Sequence, residues 1–209
     1  MKKIITGMFL LVCTMAYSQE KTQNSFKRFV KENYVNFTDI GGLFGKSYQI
    51  TPNAIQNPNY SYTVKASTNF TIQTFNGLKV YKNLAVGATV GVDWFSSYQI
   101  IPISLGIRNT FGDIKTKKVK TFAGIDAGFG FMWLNDEISP SNEIKGGLAI
   151  SPMVGLLIPT GGNANFTLSV GYKHNRFKSK IDNGTLDYPY LIENQYNFNR
   201  MAIRLGVNF

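Results

Sequence analysis

The chain has 209 residues, a size suited to one domain, with 22 Lys and Arg against 12 Asp and Glu and a formal net charge of +10. Its one histidine, His174, and one cysteine, Cys13, exclude an internal disulfide and most transition-metal ligand sets. Beyond residue 16, no uninterrupted apolar run reaches the roughly 20 residues that a membrane-spanning helix needs.

Lys2 and Lys3 precede an apolar run from Ile4 to Ala16, and Ala16-Tyr17-Ser18 places small residues at its first and third positions. This pattern predicts a secretory signal over residues 1–18, with cleavage after Ser18. Val12 stands before Cys13 where a lipoprotein signal carries a small residue. Residues 19–33 are expected to form an N-terminal periplasmic segment. Within it Phe26, Phe29 and Val30 lie among Lys27, Arg28 and Lys31, enough for one or two helical turns that tether the chain at an interface. A loosely ordered start to the mature chain is the plainer account.

From residue 34 the hydrophobic period is two. Residues 34–45 give the first candidate strand, its alternation blurred by Asp39 and Gly41-Gly42, which raises the expectation of a bulge. In residues 62–73, Tyr62, Val64, Ala66, Phe70 and Ile72 share one face, with Lys65, Ser67, Asn69, Thr71 and Gln73 opposite. A connection is predicted from Asn76-Gly77 to Asn83. Residues 84–94 alternate most cleanly, with Leu84, Val86, Ala88, Val90, Val92 and Trp94 on one face. Residues 101–111 follow, then a turn over 112–118, then residues 119–133 with Ile125, Phe129, Phe131 and Trp133 facing one way and Gly124, Asp126 and Gly128 the other. Residues 148–158 carry Pro152, which removes a ladder donor. Residues 166–174 and 200–209 complete the set.

Strands with one wholly apolar face and one small or polar face lie between oil and water. A water-soluble barrel needs the reverse polarity, and a small polar lining does not fill a dry core. The prediction is an all-β, eight-stranded antiparallel transmembrane up-and-down β-barrel over residues 34–209. The connections after the second, fourth and sixth strands are short, which places both termini on the periplasmic side. In that topology Trp94 and Trp133 fall at outer strand ends, and Phe111, Phe166 and Phe209 at inner ends, as two aromatic belts.

The last strand presents Met201, Ile203, Leu205, Val207 and Phe209 on one face, with Arg200, Ala202, Arg204, Gly206 and Asn208 on the other. It resembles the final strand of small outer-membrane β-barrels of Gram-negative bacteria, and Ser18-Gln19-Glu20 resembles the start of exported proteins of the Bacteroidota. The resemblance implies an outer-membrane location and reading of that C-terminal strand by the barrel-assembly machinery. It also implies contact with outer-membrane lipid and lipopolysaccharide, which the basic charge suits better than nucleic acid. Such families hold structural barrels, adhesins, narrow channels and a few lipid A-modifying enzymes.

Lys65, Asp93, Arg108, Asp126, Lys173, Arg200 and Arg204 fall on the lumen phase. An eight-stranded barrel is only wide enough for its side chains to fill, so an ion-pair network that plugs the interior is expected, with a solute or proton path as the alternative. No catalytic, metal or cofactor site is predicted. The lipid A deacylase pattern sets Ser two residues after His, whereas this chain has His174-Asn175-Arg176 with Ser179 further on. The external connection from Arg176 to Gln195 holds Asp182-Asn183-Gly184, a tight-turn signal flanked by Ile181 and Leu186. It predicts a projecting hairpin whose sheet edges, with Tyr188 and Tyr190, are available to an extracellular partner. The expected role is structural or surface-interacting and non-enzymatic.

Overall fold

A computed structural model describes residues 22–51, 61–95, 98–112, 118–135, 142–162, 164–182 and 191–209. Helix α1 (Thr22–Asn33) belongs to one unit, in which Arg28 donates to Glu32 one turn on at 2.8 Å. The other unit, Val35–Phe209, holds the sheet. Its strands are β1 (Tyr34–Thr51), β2 (Ser61–Tyr81), β3 (Leu84–Trp94), β4 (Tyr98–Phe111), β5 (Lys120–Asn135), β6 (Asn142–Lys145), β7 (Gly147–Pro159), β8 (Asn165–Asp182) and β9 (Leu191–Asn208).

Each spanning strand pairs antiparallel with its chain neighbours, and β1 pairs with β9 from Phe37↔Asn208 to Ile50↔Gln195. The last N–H groups are satisfied at this seam: Asn36 N–H donates to Phe209 O at 2.8 Å, and Phe209 N–H to Asn36 O at 3.2 Å. The sheet is therefore a closed, all-antiparallel, up-and-down barrel in which each spanning strand has two neighbours. Strands β6 and β7 occupy one wall position. Register against β8 changes by one residue between Lys145↔Lys178 and Ala149↔Asn175. The cause is Gly146-Gly147, where a side chain would collide with the carbonyl oxygens of Gly130 and Arg176.

Three sequence expectations need correction. The β1–β9 register is unbroken, so Asp39 and Gly41-Gly42 hold no bulge; Phe37, Asp39 and Leu43 all point inward, and Ile40 and Phe44 outward. Asn76-Gly77 is strand rather than turn. Gly77 pairs with Gly87 because a Cβ there would lie 2.6 Å from the Phe75 ring, so glycine serves close packing and the turn falls at Lys82-Asn83. Finally, β8 and β9 remain paired to Asp182↔Leu191, so Ile181 faces Ile192 and not Leu186. One constant register runs up this ladder from Asn165↔Asn208 to Asp182↔Leu191. Residues 183–190, with Tyr188 and Tyr190, lie outside the described residues.

The outward faces follow the predicted phase. Ile103, Leu105, Ile107, Ile125, Phe129, Val154, Leu168, Val170, Met201, Ile203 and Leu205 are all exposed. Pro152 points outward, and the β7–β8 ladder skips Ser151 and Pro152 while keeping its register, as a missing donor requires. The apolar belt is a mid-bilayer surface. Ile103→Arg or Ile125→Arg is expected to cost about 2–4 kcal/mol in denaturant unfolding from lipid vesicles. An unchanged midpoint for both variants would show that neither residue meets hydrocarbon.

Candidate functional site

Inside the barrel, side chains stack in three layers. Nearest the termini is an apolar layer of Val35, Phe37, Phe75, Ala85, Phe122, Met153 and Leu157. At the opposite end lies a second, made of Leu43, Phe95, Ile100, Phe177, Phe198 and Ala202, with Met132 and Tyr196 packed against it. Between them sits a charged belt. The small polar lining expected from sequence thus describes only the middle of the lumen. Phe37, Phe75, Phe122, Phe177 and Phe198 were detectable by counting their positions: each has inward parity on its strand.

Lys173 on β8 donates to Asp93 Oδ1 on β3 at 2.7 Å. Going round the ring, β8 and β3 are four strands apart in either direction, so this ion pair crosses the full width of the lumen. Both side chains are inaccessible, at 3% and 0% exposure. Thr71 Oγ1 also donates to Asp93 Oδ1, at 2.6 Å.

Arg108 and Asp126 form a second buried pair, with Arg108 Nη2 donating to Asp126 Oδ2 at 2.8 Å. Thr89 donates to the other carboxylate oxygen at 2.7 Å, and the guanidinium lies 4.6 Å from the Phe75 ring centroid. Strand register explains the room for this pair. Arg108 stands opposite Gly124, and Asp126 opposite Gly106. A Cβ at Gly124 would lie 2.6 Å from Arg108 Cδ, and one at Gly106 would strike Asp126 Oδ1.

The same arrangement recurs across the barrel. Asp39 pairs with Gly206 and Arg204 with Gly41, and again each charged side chain fills the space above the facing glycine. The β4–β5 wall and the β1–β9 wall stand on opposite sides of the ring. Asp39 accepts from Thr167 at 3.0 Å and from Gln73 at 3.5 Å, while Arg204 donates to Ser151 at 3.2 Å. Arg200 donates to Ser67 at 3.0 Å, with its guanidinium 5.6 Å from the Phe95 ring and 6.0 Å from Phe198, which joins the belt to the upper apolar layer.

Six of the seven lumen charges named from sequence, Asp93, Arg108, Asp126, Lys173, Arg200 and Arg204, are buried together here. The side chain of Lys65 lies outside the described residues. Asp39 is the member that sequence reasoning missed, because the supposed bulge hid its inward phase. Of the aromatic positions, Trp94, Phe111, Phe166 and Phe209 are exposed on the outer face, and the side chain of Trp133 is outside the described residues. Val207 is only half-buried, while Met201, Ile203 and Leu205 are exposed. His174 points outward at the end far from the termini, its Nδ1 2.6 Å from Asn199 Oδ1. Ser179 lies on β8 with its side chain outside the described ones. Among the described residues no cluster of His, Cys, Asp or Glu is arranged to hold a metal.

No protein-family model matches the chain, and no curated protein matches it. Solved structures do. The outer membrane protein OprG from Pseudomonas aeruginosa aligns with a TM-score of 0.60 at 11% identity, over 84% of this chain and 94% of that one. Neisserial surface protein A aligns with a TM-score of 0.50 at 10% identity, again over 84% and 94%. The fold is that of the small eight-stranded outer-membrane β-barrels. With an apolar belt that is stable only against lipid, it points to the outer membrane of a Gram-negative bacterium.

The Lys173–Asp93 pair makes a direct test. Lys173→Met alone is expected to destabilise by about 3–5 kcal/mol, because it strands a buried carboxylate. Lys173→Met with Asp93→Leu should recover most of that loss in equilibrium unfolding. Simple additivity of the two changes would show that the side chains do not depend on one another.

Proposed function

We propose that the protein is a plugged, non-enzymatic barrel of the outer membrane that serves envelope structure and surface interaction instead of conducting solutes. The observation that carries this reading is the ion pair joining opposite walls of the lumen, with an apolar layer above it and another below. A solute path would have to part all three layers and leave buried charges unpaired. In this reading residues 1–18 are an export signal, the Met201 to Phe209 strand is the mark recognised by the assembly machinery, and the end remote from the termini faces outward.

The surface role rests on the height of one wall. Among the described side chains of β8 and β9 the outward apolar residues stop at Tyr172↔Met201, yet the ladder continues from Lys173↔Arg200 to Asp182↔Leu191, roughly 30 Å along the strands. The projecting edges expected from sequence are not free for strand addition over most of this height. Strand β6 pairs with β8 up to Asn142↔Ile181, and β1 with β9 up to Ile50↔Gln195. A partner would therefore meet the side chains of this wall and the outer edge of β6, which ends the strand order.

Planar-bilayer recording tests the reading. The refolded wild type is expected to be electrically silent. Discrete wild-type openings whose size changes in the Arg108→Ala/Asp126→Ala variant would establish a channel through the lumen and overturn it.

A further inference from the structure

The lumen and the apolar belt leave helix α1 without a role. At 3.6 residues per turn, Phe26, Phe29, Val30 and Asn33 fall on one face, and Lys27, Arg28 and Lys31 project from the other side. The apolar face is open: Phe26 is 62% exposed and Phe29 48%. The helix carries three cations against one carboxylate, Glu32, and Arg28 engages that carboxylate. Asn33 Nδ2 donates to Phe29 O at 2.9 Å, which satisfies a carbonyl of the last turn where the helix ends. Strand β1 begins at the next residue, Tyr34, and is joined to the barrel seam by Asn36, whose N–H donates to Phe209 O.

We infer that α1 lies in the anionic phospholipid headgroups of the periplasmic leaflet, with Phe26, Phe29 and Val30 turned into the lipid and Lys27 and Lys31 beside the phosphates. The choice of leaflet rests on the proposed orientation of the barrel. Three observations select this partner. With no residue between α1 and β1, the chain holds the helix within its own length, about 18 Å, of the point where the first strand begins. A twelve-residue helix with three apolar side chains is marginal in water and binds lipid weakly when free. Tethered this closely to a membrane-embedded strand, it meets the surface at high effective concentration, and a weak contact suffices. The pattern itself, aromatic on one face and basic on the other, suits a headgroup layer: the rings enter the acyl boundary while the lysine stems carry their ammonium groups up to phosphate. Three cations less one carboxylate leave a net charge of +2, which favours an anionic surface over a zwitterionic one.

The chain from Gln19 onward contains no cysteine, so a single spin label reports on α1 without background. Labels are placed at Val30→Cys on the apolar face and, separately, at Asn24→Cys on the polar face. Each full mature chain is refolded into phosphatidylcholine vesicles with or without phosphatidylglycerol. Collisions with oxygen, which concentrates in hydrocarbon, and with a neutral nickel chelate, which stays in water, locate each label. With phosphatidylglycerol present, the label at position 30 is expected to meet oxygen and not the chelate, and the label at position 24 the reverse. Omitting phosphatidylglycerol, or introducing Lys27→Gln/Lys31→Gln, should lower the ratio of lipid-docked to water-exposed label at position 30 by about tenfold or more. Heat-modifiable gel mobility shows that each barrel is folded. Exclusion of both reagents at position 30 would mean that the helix packs against protein, and chelate access there would mean that it stays in water. Either result overturns the inference, as does an equal ratio in the two kinds of vesicle. Vesicles with identical leaflets make the readout independent of barrel orientation, and it does not involve conductance. A helix in water therefore leaves the plugged-barrel reading standing, and a conducting lumen leaves this lipid contact standing.

Discussion

In hydrocarbon nothing but the chain itself can satisfy a backbone N–H, so everything else in this molecule depends on the ladder closing between β1 and β9. That seam is continuous from Asn36 and Phe209 at one end to Ile50↔Gln195 at the other. Closure with eight wall positions fixes a narrow lumen, and the narrow lumen in turn decides what its side chains can do. In a wider barrel Lys173 and Asp93 would each need water. Here a single lysine spans the gap, and the two opposite walls share one ion pair.

Charge in so small a space requires volume as well as partners. The two glycine–charge quartets supply it: each arginine and each aspartate lies over a facing glycine on the neighbouring strand. The resulting sequence signatures are Gly106-Ile107-Arg108 with Gly124-Ile125-Asp126, and Asp39-Ile40-Gly41 with Arg204-Leu205-Gly206. In each triplet the middle residue points to lipid and is large and apolar. A single triplet thus satisfies three demands at once: a charge for the network, room for the opposite charge, and a belt residue for the bilayer. The apolar layers at both ends make the network strong, because they withhold the water that would otherwise screen it.

Alternation was readable from sequence wherever the outer face was large and the inner face small, as in β3, β4 and β5. It failed where an inward position carried a phenylalanine, since a large apolar residue looks alike on either face until its parity is counted from a neighbour. Phe122 and Phe198 are such cases. Glycine misled in the opposite sense. At Asn76-Gly77 composition indicated a turn, but that glycine answers a ring packed against the backbone. Gly112 and Gly161, with φ of 108° and 86°, are the glycines where the turn reading holds, because a left-handed backbone is what those connections use. The charged belt was legible residue by residue. Its wiring was not, because which cation meets which acid depends on ring position and on the facing glycines.

The unequal height of the wall follows from the same registers. With β8 and β9 held in one register from end to end, the strands have no bulge that would let them part above the lipid, and β6 and β1 pair onto both of their flanks. The rising side is therefore a continuous sheet whose inner face is closed by Phe177 and Phe198. On β8 the outward set changes from Phe166, Leu168, Val170 and Tyr172 to His174, Arg176 and Lys178 within a single strand, without a change of phase. A switch of chemistry at constant phase marks a change of solvent along the strand and not a change of fold. It locates the boundary between acyl chains and headgroups on this wall more sharply than the aromatic belt does, because Tyr172 and His174 are two residues, or about 7 Å, apart.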